Sequence, residues 1–162
     1  MTIFPSDEYE VELKNESSMV MNKLKRNTKM SNSLVSEWGV KEAFIGRIDN
    51  NGFKIISSIV GFGAFCVLTG QFQNKEGIIK IQVHKTIQVL LSILMLFPFI
   101  WFGILVFLNG LQTSTDLIIP FIFLLLFIRF VLLRLTYKFI SKIGLNRLTE
   151  IMEITKLKKN EY

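Results

Sequence analysis

The residues that ordinarily do chemistry are few in this chain and poorly spaced for it. His84 is the only histidine and Cys66 the only cysteine among 162 residues. A histidine pair for a metal is therefore impossible, and a thiol–imidazole dyad exists only if those two residues meet. Asp49, Glu76 and the N-terminal acids fall in turns or along an alternating strand, without the pairing that acid–base catalysis or a divalent cation needs. Gly61-Phe62-Gly63-Ala64 has neither the length nor the Lys-Ser/Thr ending of a phosphate loop. The plain reading makes Cys66 a small apolar core residue and His84 an interfacial polar one. It yields a non-enzymatic protein with no cofactor and no metal site, and a lone cysteine excludes an intrachain disulfide.

The residues that stand out instead are charges and helix-disturbing groups set in apolar surroundings. Arg129 and Arg134 interrupt a strongly apolar run, Pro98 sits within another, and Gln88 and Ser92 are polar residues near the start of that earlier run. Half of the chain is hydrophobic and 15 residues are Phe. From Thr86 to Thr115 there is no charged residue. Residues 87–108 form a 22-residue span, and a helix rising ~1.5 Å per residue needs ~20 apolar residues to cross a hydrocarbon core of ~30 Å. A second span, 117–137, requires Arg129 and Arg134 to thread their stems along the helix and hold their guanidinium groups at the headgroups. If Tyr137 marks the boundary, Arg129 lies ~12 Å deeper, where a charge either snorkels, finds a partner such as Gln88 or Ser92, or faces an axis of associated copies. Pro120 falls in the first turn of its helix, where a missing N–H costs little, whereas Pro98 should kink the first span. The competing reading is a pair of buried helices in a soluble protein.

Charge sets the expected orientation. Residues 1–86 hold eleven cations against nine acids, residues 129–162 eight against three, and the connecting segment 109–116 holds no cation and Asp116. Positive charge is retained in the cytoplasm, so both termini are expected inside a bacterial inner membrane, with only a short turn outside. Lys85, Lys138, Lys142 and Arg147 are the candidate lipid-contacting cations. The N-terminus MTIFPSDEYEVELK is acidic and lacks the apolar stretch of a cleavable signal.

The segments that flank the hairpin carry strand and helix patterns. Tyr9, Val11 and Leu13 alternate with acids, and a short helix capped by Asn15 or Ser17 follows through about Arg26. Residues 28–36 read as a loop. Strands over 43–48 and 53–60 flank Asp49-Asn50-Asn51-Gly52, whose Asn-Gly pair favours positive φ angles in a reversal. Strands over 65–72 and 78–83 flank a second turn, with Gly61 and Gly63 marking a bend between the hairpins. Leu148, Ile151, Met152 and Thr155, widened by Ile154 and Leu157, predict a C-terminal helix within 138–162 that packs on the sheet or lies in the headgroup layer.

The expected fold is thus an α+β membrane protein: a cytoplasmic antiparallel sheet of about five strands with one or two helices (1–85), a transmembrane hairpin (86–137) and the C-terminal helix (138–162). Phe44-x-Gly46-x-Ile48, Gly52-Phe53-Lys54-Ile55, Val67-Leu68-Thr69-Gly70 and Ile81-x-Val83, ahead of a membrane hairpin, resemble a group of small two-span bacterial membrane proteins with a cytoplasmic β-meander. The resemblance implies a scaffold and no chemistry. The expected partners are the lipid bilayer, further copies of the chain and a cytoplasmic ligand or protein. Nucleic acid is not expected, because the aromatics concentrate in the spans. The function classes that remain are a membrane-anchored binding or sensing module, an oligomeric effector or small channel of the antiphage type and, least favoured, a membrane enzyme.

Overall fold

The computed structural model describes residues 4–59, 63–114 and 118–160. Strand β1 (Ser6–Leu13) alternates as expected, with Val11 and Leu13 buried. Helix α1 (Ser17–Arg26) buries Val20, Met21 and Leu24 on one side. Its N-cap is Glu16, which makes no side-chain cap bond, so neither Asn15 nor Ser17 caps it. Where a loop was expected, Thr28–Met30 form a short strand, β2. It continues straight from α1 because the Thr28 hydroxyl donates to Leu24 O at 2.9 Å.

Strands β3 (Phe44–Ile48) and β4 (Gly52–Ser57) pair in the anticipated hairpin, closed by Asp49 N–H donating to Gly52 O at 2.8 Å. Neither Asn51 nor Gly52 takes a positive φ. Gly52 matters for another reason: a Cβ there would stand 2.7 Å from Gly70 O on the next strand. Gly63–Phe65 make a single helical turn, whereas Gly61 of the predicted bend lies outside the described residues. Strands β5 (Cys66–Gln73) and β6 (Glu76–Val83) join through a reversal in which Asn74 takes φ 58, a conformation that Asn tolerates.

The main departure from expectation comes at the C-terminus. Helix α4 (Thr136–Met152) stops at Glu153, which turns the chain at φ 52, and Ile154–Asn160 form strand β7 along β1. Ile154, Thr155 and Leu157 therefore belong to a strand, not to the helix. The sheet has seven strands, in the order β2-β3-β4-β5-β6-β1-β7, instead of five; only β2 and β3 run parallel. Helix α4 covers one face of it. Leu148 and Met152 are fully buried, Gly144 lies against Leu68, and the Tyr137 hydroxyl donates to Ile81 O at 3.0 Å. Tyr137, expected as the last residue of the second span, is thus part of the sheet's core. A second, smaller core forms on the other face, where Ile45, Ile56 and Val67 lie under Leu34, Val40 and Ala64.

The chain divides into two compact units, one of residues 1–84 with 137–162 and one of residues 85–136. The second unit is a helical hairpin. Helix α2 (Lys85–Ser114) continues through Pro98, and α3 (Ile118–Phe127) leads into a π-helical segment, Ile128–Leu135. The connection expected over 109–116 is helical to Ser114; Asp116 and Leu117 lie outside the described residues. Along α2 the buried Leu91 and Pro98 and the half-buried Met95, Phe102 and Leu105 recur at three- and four-residue spacing, the seam of a helix pair. Phe121 fills its far end, stacked on Phe102 at 4.9 Å and edge-on to Phe99 at 5.3 Å.

Candidate functional site

Two regions of the molecule gather charge in unusual surroundings, one in each unit. In the hairpin, Arg129 and Arg134 both fall on the π-helical segment and both are exposed. A π-segment widens the helix and leaves it irregular, which is why such segments are seldom retained without a use. The Arg134 guanidinium lies 5.5 Å from the Phe130 ring centre, a cation–π contact one turn away on its own helix. Arg129 makes no hydrogen bond or ion pair with any described residue. The Ser92 hydroxyl instead donates to Gln88 O at 2.8 Å, within α2. Pro98 lies in the helix seam, away from both arginines in sequence and buried where they are exposed.

Of the expected lipid-contacting cations, Lys85 opens α2, and Lys138, Lys142 and Arg147 line the exposed side of α4. Phe139 lies among them and is 68% exposed. Helix α4 is therefore two-faced: a sheet-facing side of Tyr137, Ile140, Ser141, Leu145 and Leu148, and an outer side with three cations around a bare ring.

In the sheet unit, register decides which charges meet. Between β1 and β7 the charges are complementary. Lys156 pairs with Glu12 at 2.7 Å, Lys159 with Asp7 at 2.8 Å, and Asn160 Nδ2 donates to Glu10 at 3.3 Å. At the far side of the sheet the pattern reverses. Arg47 stands directly opposite Lys54, Lys54 opposite Thr69, and Thr69 opposite Lys80, four strands presenting one row. The row lies on the same face as Ile45, Ile56 and Val67, each two positions along its strand from a member of the row. Arg47, Lys54 and Lys80 are exposed. The row ends against an acid, since Glu8 on β1 stands directly opposite Lys80, and Asp49 lies two positions from Arg47; no ion pair joins either acid to the row among the described residues. A broad concavity of about 1930 Å³ opens over part of this region; Arg47, Lys54, Thr69 and Gln71 line it but Lys80 does not, and Glu10, Glu12, Glu16, Asp49 and Glu76 share the lining with Lys75, Lys156 and Lys158. The composition offered no sign of this row, because it depends on the pairing of four strands whose members are 33 positions apart at the extremes.

The thiol and the imidazole that could have formed a dyad are kept apart by environment. Cys66 pairs with Val83 across β5 and β6 and is 1% exposed. Burial, helped by the Asp7 charge, pushes its thiol up to about 12. His84 is held below its ordinary value by partial burial and by Lys54. A thiol that stays protonated and a base weakened by a neighbouring cation do not make a nucleophile pair. Among the described residues no three of His, Cys, Asp and Glu gather as metal ligands. The Tyr137 hydroxyl lies within hydrogen-bond reach of both Ile81 O and the Asp7 carboxylate. With one proton, it donates to one of them at a time.

Two helical stretches, the second of them continuing beyond the second unit through α4, are long and apolar enough by length and composition to cross a membrane. The span Lys85–Leu108 has mean hydropathy 2.6 with 11% of its most apolar stretch buried, and the helix Ile118–Met152 has 2.5 with 12%. No family model, curated protein or solved structure matches the chain.

Proposed function

We propose that the protein is a membrane-anchored binding module, in which the hairpin holds the chain in the bacterial inner membrane and the sheet unit receives a ligand or partner in the cytoplasm. The observation that carries this reading is the bareness of the two helices. Phe97, Ile100, Phe107, Ile119 and Phe123 are among the many large apolar side chains left exposed along them. A core helix of a soluble protein is mostly covered, and an uncovered apolar surface of this length is stable only against lipid. Connectivity supports the hairpin form, because residues before α2 and after α3 build one sheet. Both ends of the hairpin must then lie on the same side of the bilayer, and the cation excess that flanks them favours the cytoplasmic side. Lys138, Lys142 and Arg147 supply attraction to anionic headgroups, about 1 kcal/mol for each cation near the surface.

Alkaline carbonate extraction of membranes from expressing cells tests the anchor. The chain should stay in the pellet and dissolve only with detergent, and reporter fusions at both termini should be active in the cytoplasm. Recovery of untagged, monodisperse chain in detergent-free buffer would remove the reading.

A second reading, an oligomeric membrane-perturbing effector or small channel, is favoured by the exposed Arg129, unpaired among the described residues, on a π-helical segment within an apolar helix. A charge at such depth is retained where it lines water or meets another chain. Overexpression should then permeabilise the membrane, and Arg129→Gln should abolish the leak without changing insertion. A leak undiminished in Arg129→Gln and Arg129→Leu removes Arg129 from the mechanism.

A further inference from the structure

We propose that Trp38 is a second point of membrane contact, whose indole enters the headgroup layer of the bilayer that holds the hairpin and seats the sheet unit there. This rests on the reading of the hairpin as a membrane anchor and adds a lipid-binding residue outside it. Trp38 is 88% exposed, the barest large apolar side chain of the sheet unit among the described residues. The loop that carries it is tied down on both sides. Leu34 and Val40 pack against Ile45, Ile56 and Val67, the Ser36 hydroxyl accepts a hydrogen bond from Ala64 N–H at 3.1 Å, and Lys29 pairs with Glu37. Between these ties Trp38 and Gly39 form a tight turn, with Gly39 at φ 78. The backbone therefore holds at a loop tip a ring that gains from being covered.

The position of the turn in the fold names the cover. Ala64 belongs to the helical turn that opens β5, Phe65 O accepts from His84 N–H at 2.9 Å, and Cys66 stands opposite Val83 at the end of β6. Trp38 follows Ser36 by two residues, at most ~7 Å of chain, so it lies at the end of the sheet where the chain passes into α2. No linker intervenes, since only His84 separates β6 from α2. Val89, the first bare apolar residue of α2, comes ~6 Å of helix rise after Lys85. The headgroup layer is itself ~5–7 Å deep on each side of the hydrocarbon, so with the hairpin inserted this end of the sheet meets the headgroups. The return path agrees. The helix runs unbroken from α3 into α4, the Tyr137 hydroxyl donates to Ile81 O two residues from the end of β6, and the exposed ring of Phe139 follows on the face of the sheet opposite the Trp38 loop. A flat apolar ring with one N–H donor suits this layer better than either water or hydrocarbon. Residues 29–42 carry two cations and two acids, so the contact depends on the ring and not on anionic lipid, unlike that of the α4 cations.

The test uses the full chain in bilayer discs of phosphatidylcholine and reads tryptophan fluorescence. Trp38 and Trp101 are the only tryptophans, so Trp101→Phe leaves Trp38 as the sole emitter and Trp38→Phe leaves Trp101. Lipid spin-labelled close to the headgroup should quench Trp38, and should quench it more than lipid labelled at the end of the acyl chain. Adding phosphatidylserine should leave that quenching unchanged. A Trp38 that aqueous iodide quenches as fully as in urea, and that neither labelled lipid quenches, overturns the proposal. A Trp38 shielded from iodide and from both lipids overturns it as well, because another protein surface then covers the ring. Quenching that requires phosphatidylserine overturns the ring as the contact and leaves the seat to the cations of α4. Trp101, within α2, separates the two ways of failing. If a labelled lipid quenches Trp101 and none quenches Trp38, the contact falls and the anchor stands. If no labelled lipid quenches either tryptophan, the anchor falls and the contact with it.

Discussion

Glu153 shows how much one residue can decide. It holds a left-handed backbone that costs a non-glycine residue about 1 kcal/mol, and its carboxylate is met by Lys23 at 2.5 Å and by Asn15 Nδ2 at 3.1 Å. Lys23, chiefly through its hydrogen bond, holds this carboxyl below the ordinary glutamate range. Because the folded value is depressed, the stabilisation is complete above the unfolded value and fades as pH falls through the folded one. A side-chain NMR titration should place Glu153 below exposed glutamates, and Lys23→Gln should bring it back up. Cys66 is the opposite case, a group whose chemistry burial suppresses. With its thiol pushed to about 12, labelling by iodoacetamide at pH 8 should be slower by orders of magnitude in the folded chain than in denaturant. Fast native labelling would mean that the β5 end of the sheet opens. Residue types alone identified Cys66 as core. Nothing in the type of Glu153 marks it as a turn, since the reversal there is imposed by the docking of β7 on β1, a strand from the other end of the sequence.

At the scale of elements, legibility followed locality. The β3–β4 hairpin was readable because its turn residues are neighbours, even though Gly52 is needed for its approach to Gly70 O and not for its dihedral angle. The α1 stripe of Val20, Met21 and Leu24 was readable from helical spacing, as was most of α4. Strand β2 escaped because three residues at a sheet edge carry no period. Strand β7 escaped because Leu148, Ile151, Met152 and Thr155 keep a helical rhythm across the break, and because its partner lies more than 140 positions away. A signal was present in the charges: Lys156 and Lys159 match Glu12 and Asp7. Close backbone approach gives the sharpest test of the sheet. At Gly46 a Cβ would stand 2.3 Å from Lys54 O, with φ at 151. Gly46→Ala should therefore cost roughly 3 kcal/mol or abolish folding, whereas Gly103→Ala, with nothing within 4 Å, should be neutral or slightly stabilising. Thermal unfolding in detergent separates the two outcomes.

For the whole molecule, the hairpin was the most legible part and the charged row across the sheet the least. Hydropathy is summed along the chain, so Lys85–Leu108 declares itself without any knowledge of packing. The row Arg47, Lys54, Thr69 and Lys80 exists only after four strands have found their register. The pairing of β1 with β7 also bears on biosynthesis. The two apolar helices lie between β1 and β7 in the sequence, so the hydrogen-bonding edge of β1 stays open until both helices have been translated. With the helices inserted as proposed, only a chain in which both have gone in and come back can zip that edge shut. On the same proposal, a molecule inserted through a single helix would strand its tail on the wrong side and leave the β1 edge unsatisfied, so closure of β7 on β1 would report correct topology.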